Sequence, residues 1–156
     1  RYVLMVAFSF DLDDVTAALI SAKGRHSRLD ERVMIDQSQA LHGNTRNLRP
    51  KVMQLVSNGV PVRLYSKRRL HAKVLLTDAG QFVGSLNWTN ASLANVERVA
   101  RFHLRGAAEK AECEWFDALW ADAKDFDGKT ELPVTPQKPK GRAASSHDPR
   151  TVHFPE

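Results

Sequence analysis

The chain has 156 residues, of which 42% are hydrophobic, and this is enough for one domain with a core of its own. No apolar run is long enough to span a bilayer, and the first residues lack the basic-then-apolar pattern of a secretory signal. A net charge of +5 favours polyanionic partners, either nucleic acid or anionic lipid. The only cysteine, Cys113, excludes an intrachain disulfide and a cysteine-based metal site, and it favours an intracellular protein.

In the first half of the chain, apolar runs alternate with segments of helical periodicity. Three of these runs predict buried strands, at residues 2–8, 33–35 and 60–65. Between the first two, Asp11 and Asp14 resemble a capping box, and the helix that they introduce is expected to stop at Gly24. Strands that alternate with helices predict a mixed α/β sheet covered by helices.

A second helix is predicted between Asn47, as its N-cap, and Gly59, with Pro50 in its first turn. The polar segment before it, residues 37–47, is expected to be irregular.

The second half of the chain begins with a predicted hairpin, whose strands at 74–76 and 81–83 flank a turn at 78–80. Residues 99–105 alternate between apolar and polar, which predicts a half-exposed strand. A long helix at 107–124 follows. Its inner face is expected to carry Ala111, Trp115, Phe116, Leu119, Trp120 and Ala123.

The composition changes after Gly128, where five prolines and several basic residues replace apolar ones. We therefore expect one folded domain at 1–128 and a disordered basic tail or linker at 129–156.

The predicted hairpin brings four polar side chains to one place, and these are His71, Lys73, Ser85 and Asn87. If the first two lie on a strand, their spacing of two puts them on one face. An imidazole, an ammonium, a hydroxyl and a carboxamide suit a phosphate diester, because they supply a nucleophile or base, a fixed positive charge and neutral hydrogen-bond donors.

The spacing resembles the HxK(x)4D(x)6GSxN signature of the phospholipase D superfamily. The matching residues are His71, Lys73 and Asp78, followed by Gly84, Ser85 and Asn87, with five residues in place of six between Asp78 and Gly84. The resemblance covers roughly residues 1–126 and is to the single-motif nuclease branch, which includes bacterial metal-independent endonucleases and mitochondrial cardiolipin hydrolases. Relatives in this branch normally have one more strand and helix before this point, so the chain is expected to be truncated at its amino end.

The resemblance implies a mixed sheet flanked by helices, with one motif per chain and a reaction that needs neither a metal nor a cofactor. His71 would be the nucleophile and form a phosphohistidine. Two chains would form a homodimer in which the two His71 side chains face each other across the two-fold axis. The second histidine would then act as general acid and base.

The resemblance also assigns roles to the other residues of the motif. Lys73 and Asn87 would hold the non-bridging phosphate oxygens, and Ser85 would add a hydroxyl donor. Asp78 is expected to be structural, since aspartate is favoured in a turn. Glu97 would pair with the imidazole of the nucleophile and fix its tautomer, although a solvated charge at a strand edge is the alternative.

Four basic residues lead into the motif and suit a substrate with several phosphates: Arg63, Lys67, Arg68 and Arg69. Tyr65 and Trp88 lie nearby and are expected to pack in the core rather than to stack on bases.

These observations favour a metal-independent phosphodiesterase that acts as an endonuclease on DNA or RNA. One alternative is a phospholipase that hydrolyses phosphatidyl diesters such as cardiolipin, and it would require a membrane anchor or an apolar patch near the site. Another is a nucleic-acid-binding module without catalysis. The sequence does not distinguish DNA from RNA or lipid, and it leaves the cleavage polarity, the biological role and the compartment open.

Overall fold

The computed structural model describes residues 1–42 and 45–131. The predicted tail lies outside these residues, except for its first three positions. In the described part, the strands are β1 (Tyr2–Ala7), β2 (Asp30–Asp36), β3 (Val62–Tyr65), β4 (Val74–Thr77), β5 (Gly80–Gly84), β6 (Val99–Phe102) and β7 (Lys124–Asp125). The helices are α1 (Asp13–Arg25), α2 (Gln37–His42), α3 (Thr45–Ser57), α4 (Asn90–Leu93) and α5 (Ala107–Asp122).

The seven strands form one mixed sheet in the order β6-β5-β4-β1-β2-β3-β7. Strands β1, β2 and β3 are parallel, and each of the others runs antiparallel to its neighbour. The α/β fold class predicted from the sequence, a mixed sheet flanked by helices, is therefore confirmed.

Two apolar cores lie on the two faces of this sheet. On one face, α1 and α3 cover β1 to β3 through side chains such as Leu19, Val52 and Leu55. On the other face, α5 packs over the sheet through Phe116, and Ala123 packs there directly after the helix. Both faces of the central parallel strands are buried, which explains why these strands are nearly continuous apolar runs.

The expectation of an irregular segment at 37–47 was wrong, because α2 begins at Gln37 and α3 begins at Thr45. The buried carboxylate of Asp36 accepts a hydrogen bond from the backbone N–H of Ser38 at 2.9 Å and stabilises the start of α2. Pro50 lies inside α3 rather than in its first turn.

The predicted cap of the first helix was also wrong. Leu12 occupies the N-cap of α1, without a side-chain hydrogen bond, and the helix continues through Gly24 to Arg25. Asp11 instead accepts a hydrogen bond from the backbone N–H of Asn90 at 2.8 Å. Asp11 was expected to cap the helix that follows it in the chain, but it binds the backbone of a segment that is distant in sequence.

Near the end of the domain, two predicted elements are shorter than expected. Strand β6 ends at Phe102 and α5 ends at Asp122, so that Lys124–Asp125 can form β7 against β3. Ala111 and Trp115 were expected on the inner face of the last helix, but both are exposed. The edge strand β7 has only two residues and was not predicted.

Candidate active site

The residues of the predicted site meet at the carboxyl edge of the parallel strands. Val6, near the end of β1, pairs with Val74 at the start of β4, and Val74 pairs with Val83 near the end of β5. The chain before β4 and the chain after β5 therefore leave the sheet at the same edge. In open α/β sheets, this is the edge at which ligands bind.

His71 and Lys73 lie in the irregular segment before β4 and not on a strand, but their side chains still meet. The ammonium Nζ of Lys73 lies 3.1 Å from Nε2 of His71 and donates to the backbone carbonyl of His71 at 2.8 Å. A charged lysine can only donate, so Nε2 accepts and the imidazole proton is on Nδ1. The Nε2 atom thus has the electron pair that a nucleophile needs, and in this structure that pair accepts from Lys73.

The ring of Phe8, which follows β1, contacts the side chains of His71 and Lys73. Its ring centroid lies 4.7 Å from that of His71, and the Lys73 ammonium lies 5.0 Å from the ring centre. The face of the phenyl ring attracts the ammonium, because the π-system is negative there. His71 itself is exposed, whereas only 6% of Lys73 is accessible.

Burial lowers the pKa of Lys73 below its ordinary value, and the nearby carboxylate of Glu97 partly offsets this effect. The Lys73 ammonium is buried and makes no hydrogen bond to a carboxylate among the described residues. Its charge therefore lacks the compensation that buried charges usually have. An anionic phosphate bound at this point would supply that compensation.

Ser85 and Glu97 form a pair at the same edge. The hydroxyl of Ser85 donates to the Glu97 carboxylate and accepts from the backbone N–H of Arg98 at 3.1 Å. Asn95 also donates to Glu97, at 3.4 Å. In the single chain, Glu97 therefore contacts Ser85 and Asn95 rather than the imidazole of His71.

Gly84 allows β5 to approach the segment before β6. A Cβ atom at this position would lie 2.1 Å from the carbonyl oxygen of Arg98 and 2.8 Å from Cα of Val99. Only glycine fits here, and the close approach holds Ser85 beside Glu97.

Asn87 and Trp88 carry polar atoms that are buried without a hydrogen-bond partner in the described residues, namely Oδ1 of Asn87 and Nε1 of Trp88. The backbone of Trp88 is fixed, since its carbonyl accepts from the N–H groups of Asp11 and Leu12 at 2.8 and 3.3 Å. A buried polar atom without a partner is rare and marks a place where a ligand can bind.

Three of the remaining predicted residues either lie away from His71 or are paired within the chain. Asp78 is exposed in the turn between β4 and β5, at the opposite end of the hairpin from His71. Arg63 donates to Asp125 at 2.8 Å and lies over the ring of Trp120, and Lys67 is paired with Asp122. These two basic residues are thus engaged within the chain.

Arg68 and Arg69 are exposed, and neither forms an ion pair with a described residue. Tyr65 is buried, as expected. Trp88 packs against the core beneath α1 and α3, which agrees with the packing role expected for it.

The sequence analysis missed three residues that support the site, and these are Phe8, Asp11 and Asp36. Phe8 ends one predicted strand, and Asp36 directly follows another, so their place at a carboxyl edge was the available signal. The Oδ2 atom of Asp36 accepts a hydrogen bond from the backbone N–H of Leu70 at 2.6 Å and holds the segment that leads to His71. Among the described residues, no three side chains of the types that bind metals are grouped as a metal site.

A family model described as cardiolipin synthase, PLD-like domain, matches residues 1–120. The chain belongs to the phospholipase D superfamily. Nuc from Salmonella typhimurium, a phospholipase D family member, has a similar structure with a TM-score of 0.71 and 25% identity, over 81% of this chain and 82% of that one. These findings place the chain in the single-motif, nuclease-like branch of the superfamily and support phosphodiesterase chemistry of the phospholipase D type.

Two more distant structures share the fold. NucT from Helicobacter pylori has a TM-score of 0.60 and 21% identity, over 80% of this chain and 82% of that one. Phosphatidylserine synthase from Haemophilus influenzae has a TM-score of 0.67 and 15% identity, over 85% of this chain and 35% of that one. No curated protein sequence matches the chain. Within the described residues, no helix is both long and apolar enough to span a membrane.

Proposed function

We propose that this phospholipase D superfamily member is a metal-independent endonuclease that hydrolyses DNA or RNA through a phosphohistidine. The observation that carries the proposal is the buried ammonium of Lys73, 3.1 Å from Nε2 of the exposed His71. This arrangement provides a nucleophile and an anion-binding charge at one point, as attack on a phosphodiester requires.

In the first step, Nε2 of His71 forms a bond to phosphorus, and the bond from phosphorus to the leaving oxygen breaks. A second histidine gives its proton to that oxygen. In the second step, this histidine takes a proton from water, the water oxygen bonds to phosphorus, and the phosphorus–nitrogen bond breaks. Lys73 and Asn87 stabilise the negative charge on the non-bridging oxygens in both steps, and Ser85 contributes its hydroxyl.

The second histidine is the partner subunit's His71 in a homodimer. An apolar surface beside Lys73 supports this part of the proposal. Leu75 of β4 and Phe82 of β5 are paired neighbours on the face of the sheet that α1 and α3 cover over β1 to β3. Val99 lies on the same face and is 48% exposed. We call this surface of β4–β6 the open face, and a second copy of the chain would bury it.

Such a dimer would give Glu97 its expected role, although its carboxylate contacts Ser85 and Asn95 within its own chain. Across the two-fold axis, it would approach the partner subunit's His71 at Nδ1, where the proton lies. The carboxylate would then stabilise the imidazolium that forms during the reaction.

A phospholipase is the second candidate, and one specific observation favours it. An apolar cavity of about 280 Å³ lies on the open face, where Lys73, Phe82, Leu86, Trp88 and Val99 line it. A cavity of this kind could hold the apolar part of a phosphatidyl diester such as cardiolipin. The two candidates differ in what covers the open face, which is a second chain in one and lipid in the other.

The experiment compares single-stranded DNA, duplex DNA, RNA and cardiolipin vesicles as substrates, all in excess chelator. We expect cleavage of a nucleic acid by the wild-type protein and at least a 10³-fold loss in His71→Ala, since removal of a nucleophile leaves only binding and electrostatic contributions. His103→Ala is the matched control, because His103 is also exposed but lies after β6.

Turnover that survives in His71→Ala would contradict the covalent mechanism. Turnover of cardiolipin alone would favour the phospholipase, and loss of all activity in chelator would contradict metal independence.

A further inference from the structure

A second pocket lies beside the candidate active site, at the ends of β2 and β3. Its volume is about 340 Å³, and its lining includes Asp36, Gln37, Ser66, Arg68 and Arg69. Strands β2 and β3 are parallel and both end here, at Asp36 and Tyr65. The pocket therefore opens at the same edge of the sheet as His71.

The charge of this pocket is positive, although it contains one carboxylate. Asp36 is 2% exposed, and its oxygens accept hydrogen bonds from the N–H of Ser38 at 2.9 Å, from the hydroxyl of Ser38, and from the N–H of Leu70 at 2.6 Å. The guanidinium groups of Arg68 and Arg69 remain exposed and form no ion pair with a described residue. They are thus free to bind an anion.

The distance between this pocket and the nucleophile is short. The guanidinium carbon of Arg69 lies 5.9 Å from the ring centre of Phe8, and the imidazole of His71 lies 4.7 Å from the same centre. Both groups therefore pack against the same ring. A nucleic-acid strand whose scissile phosphate contacts His71 and Lys73 would bring a neighbouring phosphate to this pocket, because every nucleotide of the strand adds one phosphate at a short and regular spacing.

We propose that this pocket is a second phosphate-binding subsite, in which Arg68 and Arg69 hold a phosphodiester next to the scissile one on a nucleic-acid strand. The inference rests on the proposed function. It divides the basic cluster of the sequence into two pairs with different roles. Arg63 binds β7 through Asp125, and Lys67 binds α5 through Asp122, whereas Arg68 and Arg69 bind substrate. Planar guanidinium groups suit this task, since they bind phosphate through two parallel hydrogen bonds.

The test compares a substrate that has one diester with a substrate that has many. Bis(p-nitrophenyl) phosphate has no neighbouring phosphate, and a single-stranded 12-mer oligonucleotide has several. For the double variant Arg68→Gln/Arg69→Gln, we expect the ratio of kcat/KM for the oligonucleotide to kcat/KM for the small diester to fall at least tenfold, mainly through KM. The dependence of log Kd on log salt for the oligonucleotide should become shallower by about one to two units.

A matched control removes two arginines that line a different pocket. Arg25 and Arg28 lie before β2, at the opposite end of the sheet. The double variant Arg25→Gln/Arg28→Gln should leave the ratio of the two kcat/KM values unchanged, because it removes the same total charge far from His71.

Three results would overturn the subsite. The first is an unchanged ratio of the two kcat/KM values in Arg68→Gln/Arg69→Gln, and the second is an equal fall of this ratio in the control variant. The third is a loss of activity in Arg68→Gln/Arg69→Gln on cardiolipin vesicles but not on the oligonucleotide. If the wild-type protein hydrolyses neither diester, the proposed function fails, but the oligonucleotide Kd and its salt dependence still decide the subsite. Binding that weakens only in Arg68→Gln/Arg69→Gln supports it, and equal binding in all proteins overturns it.

Discussion

The two halves of the sheet differ in what covers them. In the half formed by β1, β2 and β3, both faces are buried, and residues such as Val33, Met34 and Ile35 are inaccessible to solvent. In the half formed by β4, β5 and β6, the face that carries Val99 is open, and Val99 is 48% exposed. The candidate site lies where the two halves meet. The closed half therefore provides stability, and the open half provides a surface for a partner or a substrate.

This comparison can be tested most strongly on the open face. Val99 and Phe102 are each 48% exposed, but they lie on opposite faces of β6 because they are three residues apart. Val99→Asp should convert the proposed dimer to a monomer and lower kcat at least 100-fold, because a general acid or base typically contributes this much. Phe102→Asp is the control and should retain both properties.

The measurement is sedimentation equilibrium together with turnover of single-stranded DNA. A wild-type protein that is monomeric and fully active would disprove the dimeric site.

The second prediction compares a leucine under the closed half of the sheet with a leucine in the open half. Leu55 is fully buried under the closed half, whereas Leu93 is 62% exposed in the segment between β5 and β6. Leu55→Ala should lower the free energy of unfolding by about 2–5 kcal/mol through the lost burial and the cavity that remains. Leu93→Ala should change it by less than about 0.5 kcal/mol. Urea unfolding at one fixed protein concentration measures both values, and similar losses would mean that the halves do not differ in this way.

The third prediction concerns a buried carboxylate in the closed half. Glu31 is 1% exposed, and its two oxygens have no hydrogen-bond partner in the described residues. Burial raises its pKa to about 7, and Lys23 only partly opposes this effect. The folded protein therefore binds a proton that the unfolded chain releases near its ordinary pKa. Stability contributed by this proton is present at low pH and is lost as the pH rises from about 4.5 to about 7.

The substitution Glu31→Gln keeps the size of the side chain and removes its titration. We expect a gain of roughly 1–3 kcal/mol in unfolding free energy at pH 8 and almost none at pH 4. Glu114→Gln, at an exposed position on α5, is the control and should show no such pH dependence. An equal gain at both pH values would show that the effect of Glu31 does not come from ionisation.

The sequence predicted the parallel strands and the hairpin well, because their apolar runs and turn residues are local signals. It also predicted that His71, Lys73, Ser85 and Asn87 come to one edge of the sheet, although the first two residues do not lie on a strand. These predictions depended on spacing, which a hairpin converts directly into proximity.

Two of the failures share a different cause, since each involves a partner that is distant in sequence. Asp11 looked like the cap of the helix that follows it, but its carboxylate contacts Asn90. Arg63 and Lys67 looked as free as Arg68, but aspartates about 60 positions away engage them. No local pattern distinguishes a paired arginine from a free one, so only the fold could divide the basic cluster.

One buried side chain connects the two sites on this edge. Asp36 holds Ser38 at the start of α2 with one oxygen and the backbone of Leu70 with the other. The wall of the pocket and the segment that carries the nucleophile therefore share one buried carboxylate as their anchor. For protein engineering, a substitution at residue 36 would shift the segment before His71 and so move the reacting nitrogen without changing His71 itself.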